Sequence, residues 1–502
     1  MIRSIAAGVL LASLVSCDEP PPPAQNPESP PVRPVAAAPK LAAQESKPAP
    51  ALEPPPGWIV NRSRLGVVSA PRTQEERAKL IELGVKTIRV EAVVGAFKPD
   101  DTFPMFDTHE PIVDWARQNG IAVVYLLCYA PAWANAETRK KFGYAHNPAA
   151  PWEDDFCPPD APAWWKKMSK IVMTRFKGKV FDYEVWNEAN SGFYYRGHLS
   201  AEARQELTER YVQLCRATFE AAREVDPAIR VYTCGPHNDF FGHWMSGLFK
   251  LGVADWSDGL VLHIYSEPPS MASFDVWWWR YMQSVEALEQ GAGKKFPLQI
   301  TEYGYHKGAG GTPHAGSYAL AQTVTMLASG RIDGLTRFHF YDRNPNENGY
   351  AIYAGSFEET DQSRTLRVLH RLFNDATYRP LAGASVAPPG DSLEVPGTPR
   401  RPDTKFHAFE VARADGTRSV LAALWRGRFD YGKNQLVDIP DQEVTVTLPG
   451  TYAKAEELGP DGNLSPFSGY VQEADRVTLK VGLEGIKGGK EGRARAFLLQ
   501  RR

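Results

Sequence analysis

Eight times between residue 65 and about residue 375, a short β-rich apolar run is followed by a longer stretch with helical spacing. This alternation constrains the fold more than any other feature of the chain. The runs are 65–70, 86–94, 121–127, 180–187, 229–235, 259–265, 297–302 and 334–341. The helical stretches are 73–83, 108–119, 161–176, 201–225, 242–251, 274–290, 315–329 and 362–373. In 201–225, Leu207, Tyr211, Leu214, Cys215 and Phe219 recur mostly at three- and four-residue steps, which lines them along one helix face. Strands that alternate with helices pair in parallel, because each crossover carries its helix back over the sheet. Eight such units predict an α/β fold, a (β/α)8 TIM barrel over residues 58–380. An open doubly wound sheet is the competing arrangement. It favours a glycine-rich phosphate turn after the first strand, where this chain has Ala70-Pro71-Arg72-Thr73.

Beyond about residue 385 the helical period disappears. Runs at 406–411, 419–425, 443–448 and 477–481 are separated by turn dipeptides such as Asp415-Gly416, Pro449-Gly450 and Asp461-Gly462. They predict a β-sandwich domain over 381–502, read as structural support in preference to a sugar-binding module.

The N-terminus stands apart from both. Arg3 precedes an apolar stretch, 5–15, too short to span a bilayer, and the chain then reads Leu14-Val15-Ser16-Cys17. This resembles a bacterial lipobox. The resemblance implies removal of the first residues, lipidation of Cys17, and an exported lipoprotein on the periplasmic or cell-surface side of a membrane. An ordinary signal peptide with a chance cysteine is the alternative. Residues 18–57, with prolines at 20–23, 30–31 and 54–56, cannot bury enough apolar surface to fold and are expected to form an extended tether.

Lys+Arg 57 against Asp+Glu 59 leaves a formal charge of −2, and no basic run is interleaved with aromatics, which argues against a nucleic-acid partner. Export makes Cys128, Cys157, Cys215 and Cys234 potential disulfide partners in any of three pairings, and buried free thiols fit equally. Neither the cysteine spacing nor the 11 histidines form a metal-binding string, so no metal and no cofactor are expected. The chain is expected to act as a monomer.

Catalytic groups of such barrels gather at the C-terminal ends of the strands. Two carboxyls fall there: Glu188, in the segment 181–190 on strand four, and Glu302, in 298–304 on strand seven. Cleaving a glycosidic bond needs one carboxylic acid to protonate the leaving oxygen and a second carboxylate as nucleophile or base. Trp186-Asn187-Glu188 resembles the acid/base motif of clan A glycoside hydrolases, and Thr301-Glu302-Tyr303-Gly304 resembles that clan's nucleophile segment. The resemblance implies a retaining glycosidase with Glu188 as acid/base and Glu302 as nucleophile. These roles predict a raised pKa for Glu188 and an ionised Glu302.

The same resemblance implies substrate-binding roles elsewhere. Arg89 would neighbour the nucleophile, Asn187 would hold the sugar 2-hydroxyl, and His263 and Tyr265 would flank the nucleophile. Trp133, in the loop 129–133, would be a stacking ring, and one of Trp277, Trp278 and Trp279 would line a subsite while the other two join the core. Asp182 and Glu184 precede the end of strand four and read as structural carboxylates. Clan members often carry a Trp at the end of strand eight. Here 337–342 holds none, so His339, Phe340 or Tyr341 is expected in its place. Over residues 60–500 the chain most resembles glycoside hydrolase family 39, which includes xylosidases, iduronidases and bacterial exopolysaccharide endoglycosidases; family 5 is the near alternative. The expected activity is hydrolysis of an envelope or extracellular polysaccharide or oligosaccharide. A non-catalytic polysaccharide-binding lipoprotein on the same barrel is the rival reading, and a metal-dependent hydrolase or deacetylase would need clustered ligands that the sequence lacks.

Overall fold

The computed structural model describes residues 59–60, 64–144, 156–191, 199–233, 235–265, 270–304, 314–342, 350–354, 357–389, 392–393, 401–430 and 432–502. Cys17, the tether 18–57 and Cys234 lie outside the described residues.

Eight parallel strands close into a barrel: β1 (Arg64–Val68), β2 (Thr87–Val93), β3 (Ala122–Cys128), β4 (Asp182–Val185), β5 (Arg230–Thr233), β6 (Gly259–Tyr265), β7 (Leu298–Gly304) and β8 (Ile332–Arg337). β8 pairs back onto β1 through Arg64↔Gly334 to Val67↔Arg337. A helix follows each strand: α1 (Gln74–Leu83), α2 (Phe106–Gln118), α3 (Pro162–Arg175), α4 (Ala201–Val225), α5 (His243–Lys250), α6 (Met271–Ala292), α7 (Ala315–Ala328) and α8 (Asp361–Phe373). Every predicted strand–helix pair is present, with one additional short helix, Ala136–Phe142, after β3.

Local signals explain the boundaries. Thr73 and Glu76 form a reciprocal capping box at the start of α1, and Gly84, at φ 77°, ends it in a left-handed turn. Ser200 caps α4 by accepting from the Ala203 N–H, and the helix buries Leu207, Tyr211, Leu214 and Cys215 on one face. Along β6, Leu260, Leu262 and Ile264 point outward into the core beneath α6 and α7. The intervening His263 and Tyr265 therefore point into the barrel, because side chains alternate along a strand.

The C-terminal region is a sandwich of two antiparallel sheets. One contains β9 (Ala376–Pro380), β10 (Thr404–Arg413), β11 (Arg418–Arg426), β13 (Tyr452–Leu458) and β15 (Arg495–Arg501). The other is built on β12 (Gln442–Pro449) and β14 (Arg476–Leu483). Alternation along β11 joins sandwich to barrel. Val420, Ala422 and Leu424 face the second sheet, whereas Leu421, Ala423 and Trp425 join the core under α6–α8. Among the described residues, no helix is long and apolar enough to cross a membrane.

One buried acid ties the sandwich to the barrel. Glu491 accepts from the N–H groups of Met271 (2.7 Å) and Ala272 (2.9 Å) at the start of α6. Burial pushes its carboxyl up to about 7, against the lowering effect of those two hydrogen bonds. The folded state thus holds this proton more tightly than the unfolded chain. The associated stability is present below the ordinary glutamate value and is lost as pH rises towards 7. Thermal melts from pH 4.5 to 7.5 should show wild type losing roughly 2–3 kcal/mol relative to Glu491→Gln across that window. Parallel curves for the two proteins would mean that Glu491 is already ionised at the low end.

Candidate active site

β4 ends at Val185, and the chain then turns through two left-handed residues, Trp186 (φ 65°) and Glu188 (φ 46°). Such conformations cost on the order of 1–3 kcal/mol each and persist only where the surroundings enforce them. Here the Trp186 indole is fully buried, 5.5 Å from the Tyr129 ring and 5.6 Å from Trp165, while the Trp186 backbone N–H donates to the Leu127 carbonyl at 2.8 Å. With the indole anchored outside, Asn187 and Glu188 are both buried at the mouth of the barrel.

Arg89, on β2, lies wholly buried at the centre. Its Nε and Nη2 donate to the two oxygens of Glu184 (2.8 and 3.1 Å), Nη1 donates to Glu302 (2.7 Å), and Nη2 also donates to Asn187 Oδ1 (2.9 Å). Burial alone would raise the Glu184 carboxyl, but the Arg89 charge and hydrogen bonds from His263 and Arg89 bring it down to about 2. The second oxygen of Glu302 accepts from the Tyr265 hydroxyl at 2.8 Å. Both Glu302 oxygens therefore face donors, the hydrogen bonding of a carboxylate.

Glu188 meets two imidazoles at one oxygen: His263 Nδ1 at 2.9 Å and His237 Nδ1 at 3.2 Å. His263 also contacts the Thr301 hydroxyl through Nε2 at 3.1 Å, and that hydroxyl donates to Glu184. Thr301 then accepts from Nε2, so that nitrogen carries a proton, and a second proton is shared between Nδ1 and Glu188. Burial would lower the His263 value, but the charge of Glu302, hydrogen bonds to Glu184 and Glu188 and the charge of Glu188 raise it to about 9. The expectation of a raised Glu188 pKa is corrected by this geometry. Burial does push it up, yet the charges and hydrogen bonds of His237 and His263 outweigh burial and hold it well below the usual range. Both shifts favour the shared proton on imidazole over Glu188.

One side-chain atom each of Glu188, His263 and Glu302 lies within 4.8 Å of the other two. These donor types could suit a metal ion, but the arrangement does not fit one. Both His263 nitrogens are engaged, and the Arg89 guanidinium already sits against Glu302.

Around this centre the other predicted residues separate. Trp133 is 42% exposed, with its indole N–H held by the Phe97 carbonyl at 3.0 Å. Trp278 is buried, whereas Trp277 stacks on Phe240 at 4.6 Å and Trp279 lies beneath the Arg280 guanidinium at 5.0 Å. Tyr341 stacks on Phe357 at 4.1 Å. The strand-eight ring that meets Tyr265 edge-on, at 6.3 Å, is Phe338 rather than His339, Phe340 or Tyr341. β8 ends at Arg337, so Phe338 is the first residue past the strand. Asp182 pairs with Arg230 at 2.7 and 2.9 Å at the opposite end of the barrel. A polar cavity of about 260 Å³ lies there, lined by Arg64, Lys86, Asp182, Arg230, Gln299 and Asp375 among others. That N-terminal face is the stabilising end of such barrels and holds none of the groups above.

Three residues escaped the sequence reading as site members: Glu184, His237 and Phe338. Only His237 carried a usable signal, as a histidine two residues past a predicted strand end. Among the cysteines, Cys128 and Cys215 are buried free thiols, and Cys157 is also buried.

A (β/α)8 barrel with two glutamates converging from β4 and β7 is the architecture that this fold and site define. No family model matches the sequence, and no curated protein matches it. Solved structures do match its fold. A family 39 glycoside hydrolase from Bacteroides cellulosilyticus WH2 superposes with TM-score 0.60 at 13% identity, covering 88% of this chain and 82% of that one. The catalytic domain of GH30 xylanase C from Talaromyces cellulolyticus gives 0.55 at 11%, covering 89% and 99%. A family 51 α-L-arabinofuranosidase from Bifidobacterium longum gives 0.51 at 11%, covering 90% and 98%. The fold is shared with these glycoside hydrolases.

Removing the central cation would leave Glu184 and Glu302 buried without their partner. Arg89→Met should therefore cost about 3–5 kcal/mol in urea unfolding. Adding Glu184→Gln should recover part of the loss, and a double variant no more stable than Arg89→Met alone would contradict the pairing.

Proposed function

We propose that this protein is a retaining glycoside hydrolase acting on an envelope or extracellular polysaccharide. The carrying observation is the approach of the Glu188 and Glu302 side chains, oxygen to oxygen, to within 4.8 Å at the mouth of the barrel. Retaining enzymes hold their carboxyl groups roughly 5–5.5 Å apart, whereas inverting ones leave about 6.5–9.5 Å for a water. The clan A fold supports the same chemistry, and the exposed Trp133 ring past β3 offers an apolar face of the kind a sugar stacks on.

In the first step, a Glu302 oxygen attacks the anomeric carbon and the glycosidic bond breaks. Glu188, loaded with a proton, passes it to the departing oxygen. In the second step, Glu188 takes a proton from water, the water oxygen attacks the anomeric carbon, and Glu302 is released. Arg89 and Tyr265 hold the attacking carboxylate, and Arg89 also fixes Asn187 beside it. Asn187 is buried at the barrel mouth with its amide beside the Tyr129 hydroxyl, a position from which it could also donate to a sugar hydroxyl. Export and anchoring through Cys17, with residues 18–57 as spacer, would place the enzyme beside such a polymer.

Glu302→Gln should retain the fold by circular dichroism and lose turnover by a factor of about 10⁴ or more, because the nucleophile sets the reaction path. Glu188→Ala should still react with aryl glycosides bearing good leaving groups, accumulate the glycosyl-enzyme, and turn over again when azide is added. Proton NMR of the first-formed product should show the anomeric configuration of the substrate; inversion would refute double displacement. Wild type inactive on a broad glycan panel would favour the non-catalytic binding reading.

A further inference from the structure

Glu91 is a further carboxyl at the centre, and neither the fold nor the proposed reaction accounts for it. It follows Arg89 by two positions on β2, so both side chains point into the barrel, with Glu91 nearer the mouth. Its charge interacts with Glu302, Glu184 and His263, and with Cys128 and Tyr129 at the end of β3, which places it over the same cluster. It is also the most open of the four carboxyls gathered there. Its side chain is 22% exposed, against 0%, 4% and 5% for Glu184, Glu188 and Glu302.

Unlike those three, Glu91 has no hydrogen-bond donor among the described residues. Arg89 Nη1 stands 3.9 Å from its carboxylate, too far for a hydrogen bond, and donates to Glu302 at 2.7 Å instead. Burial pushes the Glu91 carboxyl above the ordinary glutamate value; the Arg89 charge opposes this, and the charges of Glu302 and Glu184 add to it. The folded protein therefore binds this proton more tightly than the unfolded chain, so the ionised form of Glu91 reduces stability at neutral pH. A carboxylate kept beside the nucleophile at a cost to stability is arranged for a ligand rather than for the fold.

Two features define that ligand. An ionised carboxylate only accepts, so its complement is a donor such as a sugar hydroxyl, and hydrogen bonds to a charged acceptor are among the stronger ones. Asn187 meets the guanidinium at Nη2 whereas Glu91 lies off Nη1, so the two address different hydroxyls of a sugar whose anomeric carbon faces Glu302. The charge balance adds a restriction. Among the described residues the cations of the centre are already engaged, Arg89 with Glu184, Glu302 and Asn187, and the imidazoles of His263 and His237 with Glu188. A sugar carboxylate placed here would face Glu91 as a like charge with no cation among those residues left to match it.

We infer that Glu91 is a specificity-determining residue: its carboxylate accepts hydrogen bonds from sugar hydroxyls other than the one at Asn187, and it restricts the subsite beside Glu302 to neutral sugars. The inference rests on the reading of Glu302 as nucleophile and names the substrate class for that site.

The test couples the residue to the hydroxyl. A panel of 4-nitrophenyl glycosides of neutral hexoses and pentoses, with the glucuronide and galacturonide beside them, first identifies the sugar that wild type hydrolyses. The best neutral member should exceed either uronide by about 100-fold or more in kcat/KM. Derivatives of that glycoside lacking one hydroxyl beyond C2 are then compared in wild type and Glu91→Ala. One deoxygenation should reduce wild-type kcat/KM by about tenfold or more and change Glu91→Ala little, because the partner of that hydroxyl is already gone. Glu91→Gln should melt at or above the wild-type temperature at neutral pH while losing activity on the parent glycoside.

Deoxygenation losses equal in wild type and Glu91→Ala at every position overturn the inference, as does a uronide hydrolysed as fast as the neutral sugar. A Glu91→Gln protein that melts well below wild type makes Glu91 a structural partner of Arg89 and overturns it as well. Each of these results leaves the glycosidase reading in place. No turnover of any member of the panel removes that reading and this inference with it.

Discussion

The Arg89 guanidinium organises the centre of the barrel. A buried cation is costly unless its donors are satisfied and its charge is matched. Arg89 meets both conditions by donating to Glu184, Glu302 and Asn187, which arrive from two other strands and the turn after one of them. A planar fork with five donors can do this, whereas a lysine point charge cannot address three partners in one plane. One side chain thereby sets the relative placement of β2, β4 and β7, and with it the spacing between Glu188 and Glu302.

The turn after β4 is the second device on which that spacing depends. A regular strand would carry Asn187 and Glu188 to opposite faces, one of them away from the mouth. The left-handed residues Trp186 and Glu188 break the alternation and bury both side chains at the barrel mouth. The strain is held by packing of the Trp186 indole against Tyr129 and Trp165. Precision in the site therefore comes from an aromatic cluster outside the barrel wall as well as from the ion pairs within it.

The sandwich supports the same end from further away. β11 is buried on both faces, and its barrel-facing residues share a core with α6–α8. Glu491 caps the start of α6, the helix that follows the His263–Tyr265 strand. A C-terminal β-domain attached in this way braces one side of the barrel.

The sequence by itself determined the order of strands and helices, because hydrophobic period is a local property and each element must bury a face. It also placed Asn187, Glu188 and Glu302 at strand ends, with Arg89 on strand two and His263 and Tyr265 on strand six, since barrel topology turns position along a strand into position in space. It did not reveal Glu184 as the second anchor of Arg89, Phe338 as the ring against Tyr265, or His237 as the second imidazole on Glu188. Nor did it reveal that the neighbouring imidazoles lower the Glu188 pKa. Those facts depend on contacts between residues far apart in the chain, such as the 75 positions separating Glu188 from His263. The proton balance of a buried carboxyl follows from the charges around it, and only the closed barrel brings those charges together.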